Sequence, residues 1–95
     1  MNRLQLTAHI EKAYPMRYTP AGIPAVDVVL AHESQVTEAG TPRQVKLSLR
    51  ALAFGTQAET LAKASLEAQW GFSGFMGMSR NGKGVVFHIQ DIHST

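Results

Sequence analysis

Residues 3 to 11 alternate with period two: Leu4, Leu6, Ala8 and Ile10 fall on one side, and Arg3, Gln5, Thr7, His9 and Glu11 on the other. Successive side chains of an extended chain point to opposite faces, so the pattern predicts a first strand with one buried side. A turn-forming stretch follows. In Thr19-Pro20-Ala21-Gly22-Ile23-Pro24 two prolines fix φ and remove two backbone donors, and Gly22 accepts angles that other residues resist. Beyond it Val26, Val28, Leu30 and His32 share one face, and Ala25, Asp27, Val29 and Ala31 the other. Strand two, ending near Glu33, is thus mostly apolar on both sides, which suits the centre of a sheet. Ser34 to Pro42 reads as a polar hairpin loop closed by Gly and Pro.

Strand three resumes the alternation, with Val45, Leu47 and Leu49 opposed to Lys46, Ser48 and Arg50. The second of these faces is basic and small, as a hydrated binding surface would be. The period then changes. Thr56 to Lys63 holds helix formers, with Ala58, Leu61 and Ala62 at i, i+3 and i+4, and predicts one short amphipathic helix after Gly55. Leu66 to Ser79 returns to strand, and its glycines at 71, 74 and 77 imply bends or bulges in a curved sheet. Arg80-Asn81-Gly82-Lys83 predicts a hairpin in which Asn-Gly supplies positive φ angles, and the last strand runs from Val85 to about Ile92. Strand, strand, strand, short helix, strand, strand is the order of an OB-fold. The predicted class is all-β: a five-stranded OB-fold barrel with one short helix between strands 3 and 4. Order alone does not fix closure, so a sandwich or SH3-like barrel stays open at this point.

Ninety-five residues suit one domain spanning 1–95, and a 44% apolar, 17% charged composition suits a folded chain. The absence of cysteine excludes disulfides and thiolate metal sites. Neither a leader pattern nor an apolar run near the roughly 18 residues of a membrane span is present, so no membrane association and a cytoplasmic location are expected. A net charge of +2 says little by its total; placement matters more.

Catalysis finds no support in the residues. Four histidines, at 9, 32, 88 and 93, lie on separate segments without the i, i+4 spacing of a helical metal site, and the seven carboxylates show no pairing motif. No Gly-rich phosphate loop is present, and no cofactor is expected. His32 and His88 would approach each other in some barrels, but hydrogen-bonded structural roles are the expectation. Nucleic-acid binding fares better. Lys12 and Arg17 flank the first loop, Lys46 and Arg50 share a face of strand three, and Arg80 and Lys83 surround the last hairpin. In a five-stranded barrel these places border one groove, where cations would follow a phosphate backbone. Trp70, Phe72, Phe54 and Phe87 sit in apolar strands and are assigned to the core. Tyr18, in a polar loop, and Phe75, opposite the apolar parity, are the candidates for stacking on bases.

Asn2-Arg3-Leu4-x-Leu6, Thr19-Pro20-Ala21-Gly22-Ile23-Pro24, Leu30-Ala31-His32-Glu33-Ser34, Glu38-Ala39-Gly40 and Arg43-Gln44 resemble the primosomal replication protein N (PriB) family. The likeness spans nearly the whole chain and is densest from 2 to 44. It implies an OB-fold homodimer that binds single-stranded DNA and assists the PriA helicase in restarting stalled forks, with DnaT a further partner in some members. The family is itself similar to single-stranded DNA-binding protein, whose long linker and acidic tail are not expected after His93-Ser94-Thr95. By position, Lys12, Arg17, Arg80 and Lys83 match basic sites of the family. Lys46 stands where better-known members place an exposed tryptophan, and Glu33 replaces a basic residue. Both departures predict weaker, more salt-sensitive DNA binding. A rival reading makes the chain a protein-interaction module of the primosome, with Glu38, Arg43 and the 34–42 loop as its contact surface.

Overall fold

Alternating apolar positions need a second layer to cover them, and here the sheet covers itself by closing. The computed structural model describes all residues, 1–95. Its strands are β1 (Leu4–Ala13), β2 (Arg17–Tyr18), β3 (Pro24–Glu38), β4 (Thr41–Phe54), β5 (Gln69–Met78) and β6 (Val85–Ser94), with helix α1 at Thr56–Lys63 between β4 and β5. The ladder runs β1-β5-β6-β4-β3, and a β1–β3 pairing closes it into a barrel. All pairings are antiparallel except β4 with β6. Five strands close the barrel. The two-residue β2 is an addition in the first loop, pairing Arg17 with Ala25 and Tyr18 with Pro24.

Val26, Val28 and Leu30 of β3 meet Ile10, Ala51, Ala53, Phe72 and Phe87 in the core, and Ala58 and Leu61 of α1 close one end of it. This is the face the alternation assigns. The helix occupies the span its period predicts, with Glu59 in its first turn and Lys63 in its last, each favourable to the helix dipole. No helix is long and apolar enough to cross a membrane.

Three sequence expectations are corrected. The stretch from Ser34 to Pro42 is not a loop but a two-stranded ribbon in unbroken register to Glu38↔Thr41, so β3 continues past Glu33. The turn is Ala39-Gly40 alone, both at positive φ (51° and 78°), the twist a two-residue hairpin requires. Pro42 is tolerated in β4 because that strand pairs with β6 only at Ala51 and Leu52, leaving its outer edge open along the ribbon. Next, β5 starts at Gln69 rather than Leu66. Lastly, Phe54 is exposed on the outer face of β4, and Trp70 is half-buried, packed at the margin of the core. Phe72 and Phe87 are fully buried as expected.

Among the β5 glycines, Gly74 sits at the bulge where β5 and β6 slip register. A Cβ there would overlap the backbone carbonyl of His88, so only glycine fits. Gly71 and Gly77 instead make room for the rings of His93 and His88.

Candidate nucleic-acid interface

One open groove of about 760 Å³ runs across the outer face of the sheet, between the first loop and the β5–β6 connection. Three elements build it. The first loop folds back on β3 through the Tyr14 N–H, which donates to the Asp27 carbonyl at 3.0 Å. Its tip is tied by the Gly22 N–H donating to the Thr19 carbonyl at 2.8 Å, with Gly22 at φ 82°. These bonds hold Tyr14, Arg17 and Tyr18 along one wall. The second element is the outer face of β4, where Arg50, Leu52 and Phe54 alternate with the buried Ala51 and Ala53.

The third is the connection Ser79–Gly84. The predicted pair of positive φ angles at Asn-Gly is not used: only Gly82 is positive, at 68°. Asn81 braces the turn with its side chain instead, its Oδ1 accepting from the Ser79 hydroxyl at 2.6 Å and from the Lys83 N–H at 2.9 Å. Arg80 and Lys83 are thereby set beside the groove.

The groove collects four of the chain's nine Lys and Arg residues (Arg17, Arg50, Arg80 and Lys83) and one of its seven carboxylates, Asp27. A chain of net charge +2 therefore carries more than its whole positive excess in the groove, and the rest of the molecule is slightly acidic. Arg17 is partly offset, its Nε donating to Asp27 Oδ2 at 2.9 Å. Arg50, Arg80 and Lys83 form no ion pair. Lys12 does not line the groove; its ammonium stands 4.9 Å from the centre of the Tyr14 ring, which does.

Rings accompany the charges. Tyr18 is 67% exposed and Phe54 44%, and both line the groove with Tyr14 and His88. Phe75 lies one strand further on, under His88. Sequence reasoning missed Phe54 and His88: Phe54 shares the parity of Lys46, Ser48 and Arg50, but its apolar side chain outweighs that signal, and His88 reads only as a structural histidine. His32 is elsewhere, its ring nitrogens bonded to the Thr7 carbonyl and the Ser34 hydroxyl, a structural role.

Two candidate sets lie outside the groove. Lys46 shares the outward parity of Arg50 but belongs to a separate shallow hollow with His9, Glu11 and Glu33. Its ammonium is 3.5 Å from Glu33, and two carboxylates against one lysine make that hollow a poor phosphate site. Glu38 and Arg43, the candidate partner contacts, pair with each other at 2.6 Å near the tip of the ribbon.

A closed five-stranded barrel with a cation- and ring-lined groove across its outer face defines the class: a small OB-fold protein. A family described as "Another single-strand binding protein family" matches residues 2–91. Replication restart protein PriB of Bordetella pertussis is 42% identical over 91 residues, 95% of this chain and 85% of that protein. The PriB structure from Ralstonia solanacearum superposes with a TM-score of 0.89 at 39% identity, over 99% of this chain and 97% of that one. The single-stranded DNA-binding protein of Thermus aquaticus shares the fold alone, with a TM-score of 0.78 at 23% identity over half of its length. The chain belongs to the replication restart protein PriB family.

Proposed function

We propose that this chain binds single-stranded DNA in the groove and acts as an accessory protein of replication restart, with no catalytic centre of its own. The observation that carries the reading is the gathering of Arg17, Arg50, Arg80 and Lys83 beside exposed Tyr18 and Phe54. Cations track the phosphates while rings accept unpaired bases, a pairing suited to single strands, whose bases are free to splay. Lys12 joins from beside Tyr14, and Phe75 supports the row of rings from beneath His88. Lys46 is the weakest of the candidate contacts, since Glu33 offsets its charge.

Family membership supports PriA as the helicase it stimulates and DnaT as a further partner. A homodimer fits the free edge of β1 from Leu4 to Ala8, which pairs with β5 but not with β3 there. The rival reading, a module that works through proteins with negligible DNA affinity, draws on the projecting ribbon, where Val36 is 46% and Leu47 42% exposed. Glu38 and Arg43 would then mark the contact. Fluorescence anisotropy with a labelled single strand at two salt concentrations, alongside binding to purified PriA, separates the readings. Salt-sensitive DNA binding supports the first. Tight helicase binding with no DNA binding at low salt supports the rival.

A further inference from the structure

Asp27 is the only carboxylate lining the groove, and there it opposes any phosphate that approaches. Its placement is fixed rather than loose. Arg17 Nε holds Oδ2 at 2.9 Å, the Asp27 carbonyl accepts from Tyr14, and the side chain keeps 38% of its surface open. Oδ1 accepts no hydrogen bond from within the chain. An oriented acceptor is thus presented to whatever enters.

The sheet register says what would meet it. Asp27 pairs with Leu52, and Phe54 is the next outward residue along β4, diagonal to Asp27. Such diagonal neighbours stand about 7–8 Å apart, close to the width of a nucleobase. A base laid on the Phe54 ring therefore turns an edge toward the carboxylate. Arg50, diagonal to Asp27 on the other side of Leu52, and Arg80 and Lys83 in the same groove are left for the sugar-phosphate chain.

We infer that Asp27 reads the edge of a base stacked on Phe54 and makes the groove favour guanine over thymine. Guanine's pairing edge carries two adjacent donors, N1–H and N2–H, which a carboxylate accepts together, here on Oδ1 and on the lone pair of Oδ2 that Arg17 leaves open. Thymine offers a single N3–H between two carbonyl oxygens, and those oxygens repel the carboxylate. The inference rests on the single-stranded DNA reading and adds a base preference to it.

The test compares labelled 12-mers of thymine alone with 12-mers carrying guanine at every third position, so that any binding register offers one guanine without a guanine run. Wild-type protein is expected to bind the guanine-bearing strand about five- to tenfold more tightly, the scale of one good bidentate contact. Asp27→Asn keeps an oxygen for Arg17 and replaces the free acceptor with a donor, so the preference should vanish or reverse. A merely structural Asp27 would change both affinities by the same factor. Equal wild-type affinities for the two strands would overturn the inference while leaving the single-strand reading intact. Failure to bind either strand at low salt would overturn both.

Discussion

The His88 imidazole lies flat on the Phe75 ring, with centroids 4.7 Å apart and planes within 8°. Phe54 tilts toward the same imidazole at 6.3 Å. Three adjacent strands, β4, β6 and β5, thus contribute one ring each to a row across the outer face. One face of Phe75 is covered by His88, so within this row the ring most open to a base is Phe54. Phe54→Ala should weaken single-strand binding by about 1–3 kcal/mol, the value of one lost stacking platform. Because the ring is already 44% exposed, thermal unfolding should lose only about 1 kcal/mol or less. Anisotropy and calorimetry on the same preparation check both halves.

Trp70 stands apart from that row. It pairs with Ala8 and Ser94, and its indole N–H donates to the Ser65 carbonyl at 3.1 Å. No tryptophan lines the groove. Saturating oligonucleotide should therefore leave tryptophan emission unchanged in intensity and wavelength while anisotropy of a labelled strand reports binding. Strong quenching would place the DNA near β1 and β5 instead.

Gly74 holds the bulge that lets β5 and β6 curve into the barrel. Gly74→Ala drives a methyl into the His88 carbonyl and should destabilise by about 3 kcal/mol or more, an overpacking cost against rigid backbone. Urea melts should show a lower midpoint. Gly82→Ala, with open space around the position and only a φ of 68° to strain it, should lose less.

Ala39 occupies the first turn position of the ribbon at φ 51°, a conformation unfavourable to a residue with a Cβ. Asparagine tolerates that region, so Ala39→Asn should stabilise the ribbon by about 0.5–1 kcal/mol. The checking measurement is a higher urea midpoint at unchanged slope.

The ribbon also marks where sequence reading stops. Strands that enclose the core announce themselves, because one face must be apolar: Leu4 to Ile10 and Val26 to Leu30 are legible for that reason. From Gln35 to Gln44 both faces meet water, so no alternation is required and Pro42 reads as a loop residue. The helix is legible because Ala58 and Leu61 must cap the barrel end. The groove is half legible. Arg17, Arg50, Arg80 and Lys83 follow from the OB-fold order, since closure alone brings the first loop and last hairpin together. Lys46 does not follow: its parity is right, yet it lies far enough along β4 to fall beside Glu33 rather than Arg80. Phe54 fails for the opposite reason. Its large apolar side chain looks like core, yet it shares the parity of Lys46, Ser48 and Arg50, and Ala51 and Ala53 face inward while Phe54 faces outward.

Salt dependence of single-strand binding, measured for the wild type, Arg80→Ala/Lys83→Ala and Lys46→Ala, tests the groove most directly. Three unpaired cations at about 0.7 counterion per phosphate give an expected log–log slope of roughly −2 for the wild type. The double variant should flatten that slope by about 1.4, and Lys46→Ala should leave both slope and affinity as they were. A slope near zero in the wild type, or a loss at Lys46 equal to that at Arg80 and Lys83, would contradict the account.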